Sequence, residues 1–595
     1  ESKKNTNLIN SSIPSMLLRM DNNMNFRDFP SPKKVLLSSL AVLLICAQTV
    51  LAADKVTLDQ RLPADTYVYA SVPDVDGMKG KFEQVKFYQL LQDEQVQEFC
   101  EQITSKINVE LEKELNMNLD DLYSILSGEV SFAVFKPSEA PLAVLLAIEF
   151  GESRDKVDAL LEKAITASEE EGSEVVEEEY NGATLNIIEI TGADPSVPIE
   201  QKLVFGIKDT TFLISNSVNG IKDIVDSWDG RETGSFKSSP IYSQVQTQCV
   251  SEGGESVYNF FIDPISLLQA IALSAGPQGM QLQFGLAMLQ PLGVTSLKGI
   301  GGCTELGVDD FESISRTLFY LDSDASGILQ VLKFPATEQK PADWVPADVV
   351  SFQAFNWDAQ SAYTAIVTII DSFQGPGTSE KMIESFSQQP DGPGLHLKKD
   401  LIDQLSGDIQ FYTQAGSGDG LQSMGNLVLF GAEVNNEEGM KDVLSRVAES
   451  PGFPGEAREC QGATIYEMVN PDPSAPTIGM GVAKGYFFFA TEVQMLEQVI
   501  RGVSATDSLV QSENYSKLAE HFPSQTSIIG YSDPGEQIQP IYNSLRSGEL
   551  GAFFRGIDFS LLPEFEVVEP YFSTSASYVV PVENGAMAVQ FQLKD

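Results

Sequence analysis

One order of landmarks occurs twice along this chain, and that repeat limits the folds open to it more than any other feature. Leu62-Pro63-Ala64-Asp65 opens an extended segment ending at Val72-Pro73-Asp74, and Val345-Pro346-Ala347-Asp348 opens another ending at Asn356-Trp357-Asp358. Leu122 to Val130 (LYSILSGEV) matches Leu401 to Ile409 (LIDQLSGDI), and Leu142 to Phe150 (LAVLLAIEF) matches Asn426 to Val434 (NLVLFGAEV). Asn181-Gly182-Ala183-Thr184 then answers Gln461-Gly462-Ala463-Thr464, and Gly206 to Ser215 answers Gly481 to Ala490. Tyr258 to Asp263 and Ile528 to Asp533 complete the series, each before a helical run. The spacing drifts slowly from 283 residues at Pro63 and Pro346 to 279 at Gly128 and Gly407. Landmarks in one order at a nearly fixed offset are the mark of a duplicated unit.

The landmarks also carry physical meaning. Asn-Gly at 181–182 between alternating apolar runs is a hairpin signal, because both central residues of the tight turn need φ > 0. Lys208-Asp209 and Lys484-Gly485 read as further hairpin tips. The Ser-Gly pairs at 127–128 and 406–407 read as helix C-caps with a strand starting at once. The closing strand pairs are expected at Thr295–Leu306 with Ser313–Leu321, and at Glu566–Val580 with Ala586–Leu593. The expected fold is α+β: two tandem copies of a domain, each with a largely antiparallel sheet flanked by helices. The domains are placed at 56–335 and 344–595, with a linker at 336–343 inside the polar stretch Phe334–Asp343, which holds Pro335 and Pro341.

Residues 1–53 read as an over-extended N-terminus followed by a signal peptide. Arg27, Lys33 and Lys34 precede the apolar run Val35–Ile45, and small residues at Ala52 and Ala53 mark the expected cleavage point. Ser38, Ser39, Gln48 and Thr49 leave the run short of the ~20 apolar residues of a span, so retention as an anchor is the alternative. No later stretch reads as transmembrane. The chain is therefore expected to be exported, to the periplasm, the cell envelope or the extracellular space.

Charge narrows the partners. The formal net charge is −46, and removal of residues 1–53 takes six basic and three acidic residues with it, leaving −49. Such a surface excludes a nucleic-acid partner, which requires basic groups to displace counterions, and disfavours anionic membranes. Mutual repulsion keeps a chain of this kind soluble. Divalent-cation binding by carboxylate clusters is the sharper alternative.

The search for chemistry is mostly negative. The chain has two histidines, His396 and His521, and neither has a counterpart in the other copy. Four cysteines follow the signal: Cys100, Cys249, Cys303 and Cys460. Their spacings match no zinc site. Cys100 shares a helical face with Val96, Phe99, Ile103 and Ile107, which predicts a buried core thiol, while a Cys249–Cys303 bridge is conceivable. Gly416 to Gly420 joins strand to strand, so it reads as a hairpin tip, not a phosphate loop. Asp322 to Gly327 opens like a calcium loop, but its twelfth position is Lys333 where a bidentate Glu is needed. Glu169–Glu171 and Glu177–Glu179 could chelate a cation, yet the second copy has Pro451–Gly455 there. No catalytic, cofactor-binding or metal-binding residue is assigned.

Leu62 to Thr66, Trp344 to Val349, Asp371 to Gly377 and Leu397 to Leu405 together resemble the landmarks of a family of large, internally duplicated exported proteins of planctomycete bacteria, a domain of unknown function. The resemblance covers nearly the whole chain after the signal. It implies export and duplication, and no reaction or cofactor.

The function expected from these features is that of an exported, non-catalytic envelope or periplasmic protein with a structural or partner-binding role. The alternative is a secreted hydrolase using carboxylate or metal-assisted chemistry. A protein or envelope component is the expected partner, and calcium is the only ion the sequence suggests.

Overall fold

A computed structural model describes residues 56–594 apart from 116, 171, 190–201, 290, 323–325, 390–391, 417–426, 452, 469–475 and 549–555. The signal segment and most of the Gly416–Gly420 tip lie outside the described residues. The described residues belong to one compact unit.

The first half contributes β1 (Thr66–Val72), β2 (Val130–Phe135), β3 (Ala143–Glu149), β4 (Val175–Tyr180), β5 (Ala183–Glu189), β6 (Lys202–Lys208), β7 (Thr211–Ser215), β8 (Tyr258–Ile262), β9 (Leu297–Leu306) and β10 (Phe311–Leu321). Its helices are α1 (Leu58–Arg61), α2 (Val75–Phe82), α3 (Lys86–Gln92), α4 (Glu94–Leu115), α5 (Leu119–Ile125), α6 (Arg154–Glu170), α7 (Val218–Asp226), α8 (Pro240–Cys249), α9 (Pro264–Ser274) and α10 (Gly276–Leu289). The second half contributes β11 (Ser351–Asn356), β12 (Leu405–Gln414), β13 (Leu427–Val434), β14 (Glu456–Cys460), β15 (Ala463–Met468), β16 (Ile478–Ala483), β17 (Tyr486–Ala490), β18 (Ile528–Ser532), β19 (Ser575–Val582) and β20 (Gly585–Leu593). Its helices are α11 (Ala359–Gln374), α12 (Thr378–Ser387), α13 (Glu437–Glu449), α14 (Val493–Arg501), α15 (Glu513–Ala519), α16 (Pro534–Arg546) and α17 (Phe565–Val568).

The strands form an antiparallel α+β sheet. Followed neighbour to neighbour, the first half runs β4-β5-β6-β7-β3-β2-β1-β8-β9-β10 and the second runs β20-β19-β18-β11-β12-β13-β17-β16-β15-β14. The order is therefore the same from either edge. The halves meet where β10 pairs with β20, with Phe311 opposite Leu593 and Tyr320 opposite Gly585. The two carboxy-terminal strands thus pair with each other and leave neither half with an exposed edge there, where open backbone groups invite aggregation.

Local sequence explains most elements. Asn181 and Gly182 have φ of 45° and 76°, and Gln461 and Gly462 have 50° and 86°, at the matching hairpins β4–β5 and β14–β15. Asp263 and Asp533 cap α9 and α16, each followed by Pro at the first helical position, where its missing N–H is not needed. Gly206 and Gly481 lie inside β6 and β16, not at a strand start, opposite Leu185 and Ile465 respectively.

Three expected boundaries move. Gly407 is not a helix cap: a π turn over Leu397–Leu401 and a 3-10 turn over Ile402–Gln404 run straight into β12, and Gly407 takes φ 110° inside a register shift between Leu405 and Ile409. Gly128 also stands clear of its helix, since α5 ends at Ile125 and Leu126 is its C-cap. The strand expected from Glu566 begins only at Ser575, because Phe565–Val568 is a helix burying Phe565 and Val568.

A core cluster extends through both halves, from Leu58, Tyr69 and Phe135 to Trp344, Tyr412 and Phe591. A second cluster ties the halves by helices: Leu90 and Val96 of α3 and α4 pack with Tyr542, Phe565 and Val568 of α16 and α17. The connecting segment is held down too. Thr337 and Thr526 exchange backbone hydrogen bonds of 3.0 and 2.9 Å, and the Gln339 amide donates to the Thr526 and Ser527 carbonyls.

Candidate docking surface

The structure scatters the titratable residues singled out in the sequence. His396 caps the π turn, its Nδ1 accepting from the Lys399 amide. His521 packs edge-on against Phe311 and Phe591, with centroids 5.1 and 5.9 Å away. Cys249 and Cys303 are free, buried thiols, both pushed up to about 12 by burial, and the Cys303 thiol donates to the Cys249 carbonyl at 2.9 Å. Cys100 is half-buried beside the helical cluster of Val96 and Phe565, but Ile107, expected on the same buried face, is exposed. Glu178 pairs with Lys222 at 2.7 Å and Glu179 accepts from Thr184, so the acidic run on β4 is engaged along the sheet surface. At the calcium-like loop, Asp322 pairs with Lys298 and Lys333 with Asp358. Residues 323–325 of that loop lie outside the described residues. Among the described residues no three His, Cys, Asp or Glu side chains converge as a metal site.

Three further carboxylates are held inside the fold, Glu129 and Glu305 buried and Asp408 half-buried. Glu129 lies one residue past Gly128 and accepts hydrogen bonds from the Leu58 amide, the Ser131 hydroxyl at 2.6 Å and Tyr69. Asp408, one residue past Gly407, accepts from Tyr486 at 2.6 Å and Gln410 at 3.1 Å. Burial raises both carboxyls above their ordinary range, against the donors, which favour the charged form. Glu305 on β9 is 0% exposed and takes the Arg316 guanidinium at 2.6 Å, with Ser251 donating from its amide and hydroxyl. Each carboxylate is committed to its own donors inside the fold. The signal for the first two was present in the matched LSGEV and LSGDI segments, where an acid follows the glycine in both.

Among the described residues a further feature is apolar and exposed. From Pro264 to Leu297 no residue is charged, in a chain of net charge −46. That stretch forms the helical hairpin α9–α10 and reaches the start of β9. Gly279 lets the two helices close on each other, since a Cβ there would stand 1.8 Å from the Ala272 carbonyl oxygen. α9 buries Ile265, Ala270 and Ala272 and packs along β9 and β1, but leaves Leu268, Ile271 and Leu273 exposed. α10 packs on α9 and exposes Met280, Leu282, Phe284 and Met288, with Met280 at 68% and Phe284 at 71%.

The second half carries exposed apolar residues of its own. The 3-10 turn Gly327–Leu332 follows α10 and β10: its Ile328 amide donates to the Leu292 carbonyl, and it packs along α11. Trp357 donates to the Val331 carbonyl, and Asp358, cap of α11, holds Lys333 at 2.8 Å, a contact that with two Ser361 bonds lowers its pKa to about 2. Beyond it Ile366 and Phe373 of α11 and Met382 and Phe386 of α12 are exposed. Apolar residues scattered singly on a surface need no account, whereas a contiguous set marks a contact site. Methionine and phenylalanine suit such a site, being large, and in the case of Met adaptable in shape.

No helix among the described residues is long and apolar enough to cross a membrane. No family model matches the chain. No curated protein matches it either. A solved structure described as crystal form III of TP0453 aligns with 43% of this chain and 81% of its own, at 10% identity and a TM-score of 0.20.

Proposed function

We propose that this chain is an exported, non-catalytic protein of the cell envelope or periplasm, built from two copies of one unit, that binds a partner through the apolar surface of the α9–α10 hairpin. The observation that carries the reading is the exposure of large apolar side chains on the two packed helices of an uncharged hairpin, in an otherwise strongly acidic molecule. Burying such side chains is worth roughly 25 cal/mol per Å² removed from water, so their exposure favours a partner that covers them. The carboxylates held inside the fold support the same reading, because each is occupied by hydrogen bonds that hold strands and helix starts together. Export rests on the basic and apolar segment from Arg27 to Ala53. The copied unit is supported by the common strand order and the matched Glu129 and Asp408.

Binding of Nile red, an uncharged dye that brightens in apolar surroundings, tests the surface. The wild-type chain should brighten and blue-shift the dye, and Met280→Glu with Phe284→Glu should abolish most of that signal while the circular dichroism spectrum stays the same. An unchanged dye signal in the double variant would remove the surface as the docking face.

A further inference from the structure

We propose that the partner of the α9–α10 hairpin is a lipid surface with uncharged or zwitterionic headgroups, into whose outer boundary the hairpin dips. The inference rests on the docking reading above and names its occupant.

Exposure around the helix comes first. Residues 280 to 285 of α10 are exposed one after another, and six successive residues at about 100° each go round the whole circumference. A protein surface laid against α10 covers one stripe and leaves the rest in water. Among these exposed residues Met280 and Phe284 share a stripe with Met288, Leu282 lies away from it, and Gln281 and Gln283 stand between, so a boundary layer of acyl chains and headgroups offers both the apolar and the polar cover that the helix needs. Near the end of the hairpin, Leu273 in the last turn of α9 and Met280 one turn into α10 are both exposed.

Length and charge set the manner of contact. The 14 residues of α10 extend about 21 Å at 1.5 Å per residue, short of the ~30 Å hydrocarbon core. Crossing is excluded, and insertion to boundary depth is not. The absence of any charged residue from Pro264 to Leu297 removes the group whose transfer into a membrane is most costly. Elsewhere the chain is so acidic that an anionic leaflet repels it. Uncharged or zwitterionic headgroups are therefore matched to a neutral hairpin on an acidic body, and a second copy of the same acidic chain is matched less well.

Flotation with phosphatidylcholine vesicles tests the proposal. The chain should rise with the vesicles, and adding phosphatidylglycerol should lower the bound fraction several-fold at low salt. Met280→Glu with Phe284→Glu should abolish flotation, whereas Met382→Glu on α12 should retain it. That pair of variants separates the hairpin from any contribution of the apolar run Val35–Ile45. A wild-type chain that stays at the bottom of the gradient overturns the lipid proposal. If that chain instead dimerises by light scattering and Phe284→Glu prevents it, the docking reading stands with a second copy as occupant. If it neither floats nor dimerises and Nile red does not report the face, both readings fall.

Discussion

Glu129 and Asp408 each follow a glycine at corresponding places in the two halves of the sheet, Glu129 just before β2 and Asp408 near the start of β12, the first buried and the second half-buried. The carboxylate is common to both halves although its tyrosine donor is not: Tyr69 comes from β1, Tyr486 from β17. Both folded-state pKa values are raised by burial. The folded chain therefore retains protons that the unfolded chain releases. The stability this gives is complete below about pH 4 and is lost as pH rises through the folded values. Asp408→Asn should flatten the fall of the urea midpoint above pH 4 and raise stability at neutral pH. A slope identical to wild type would show that Asp408 is charged in the fold throughout.

The Glu305–Arg316 pair should be costly to break from one side. Glu305 is fully buried, and Arg316 also donates to the Cys249 carbonyl at 3.1 Å. Arg316→Met leaves a buried carboxylate without its cation, a change that costs about 3–5 kcal/mol. Replacing both, as Glu305→Leu with Arg316→Met, should recover much of that loss. Denaturant unfolding of the single and double variants checks it. A single variant within 1 kcal/mol of wild type, on the order of an exposed pair, would contradict the account.

Gly585 should be intolerant of a side chain. It opens β20 with φ 130°, and a Cβ would lie 1.8 Å from the Phe319 carbonyl oxygen, across the seam where the halves pair. Gly585→Ala should lower stability by about 1–3 kcal/mol, read as a drop in melting temperature. Gly462→Ala, at an exposed hairpin turn with open space around the Cβ, should cost less. Equal losses at the two sites would mean that the seam is not closely packed.

Salt should stabilise the fold. With a net charge of −46, screening relieves self-repulsion in the compact state. The melting temperature should rise steadily with sodium chloride. A flat response to sodium chloride with a jump on adding calcium would point to a specific cation site instead.

The parts legible in the sequence were those set by local backbone demands. Asn181-Gly182 and Lys484-Gly485 announce positive φ, and both form tight turns with it. Asp-Pro before α9 and α16 announces a helix start. The β10–β20 seam was not legible, because it depends on pairing between strands more than 250 residues apart, and no local signal encodes such a partner. At Gly407 the reading failed because a π turn and a 3-10 turn replace the helix whose cap it was taken to be. The apolar surface is illegible for a different reason. A uniformly apolar helix has the same pattern whether it is buried or exposed, so the helical run after Asp263 does not show by its periodicity which of the two it is. The absence of charge from Pro264 to Leu297 is the signal that distinguishes it.

Hydrogen exchange of the α9–α10 backbone, with and without phosphatidylcholine vesicles, tests the central claim most directly. The account predicts slower exchange over Met280–Leu289 when vesicles are present, and unchanged exchange in β1 and β11, interior strands of the two half-sheets. Equal exchange over Met280–Leu289 in both conditions would contradict it.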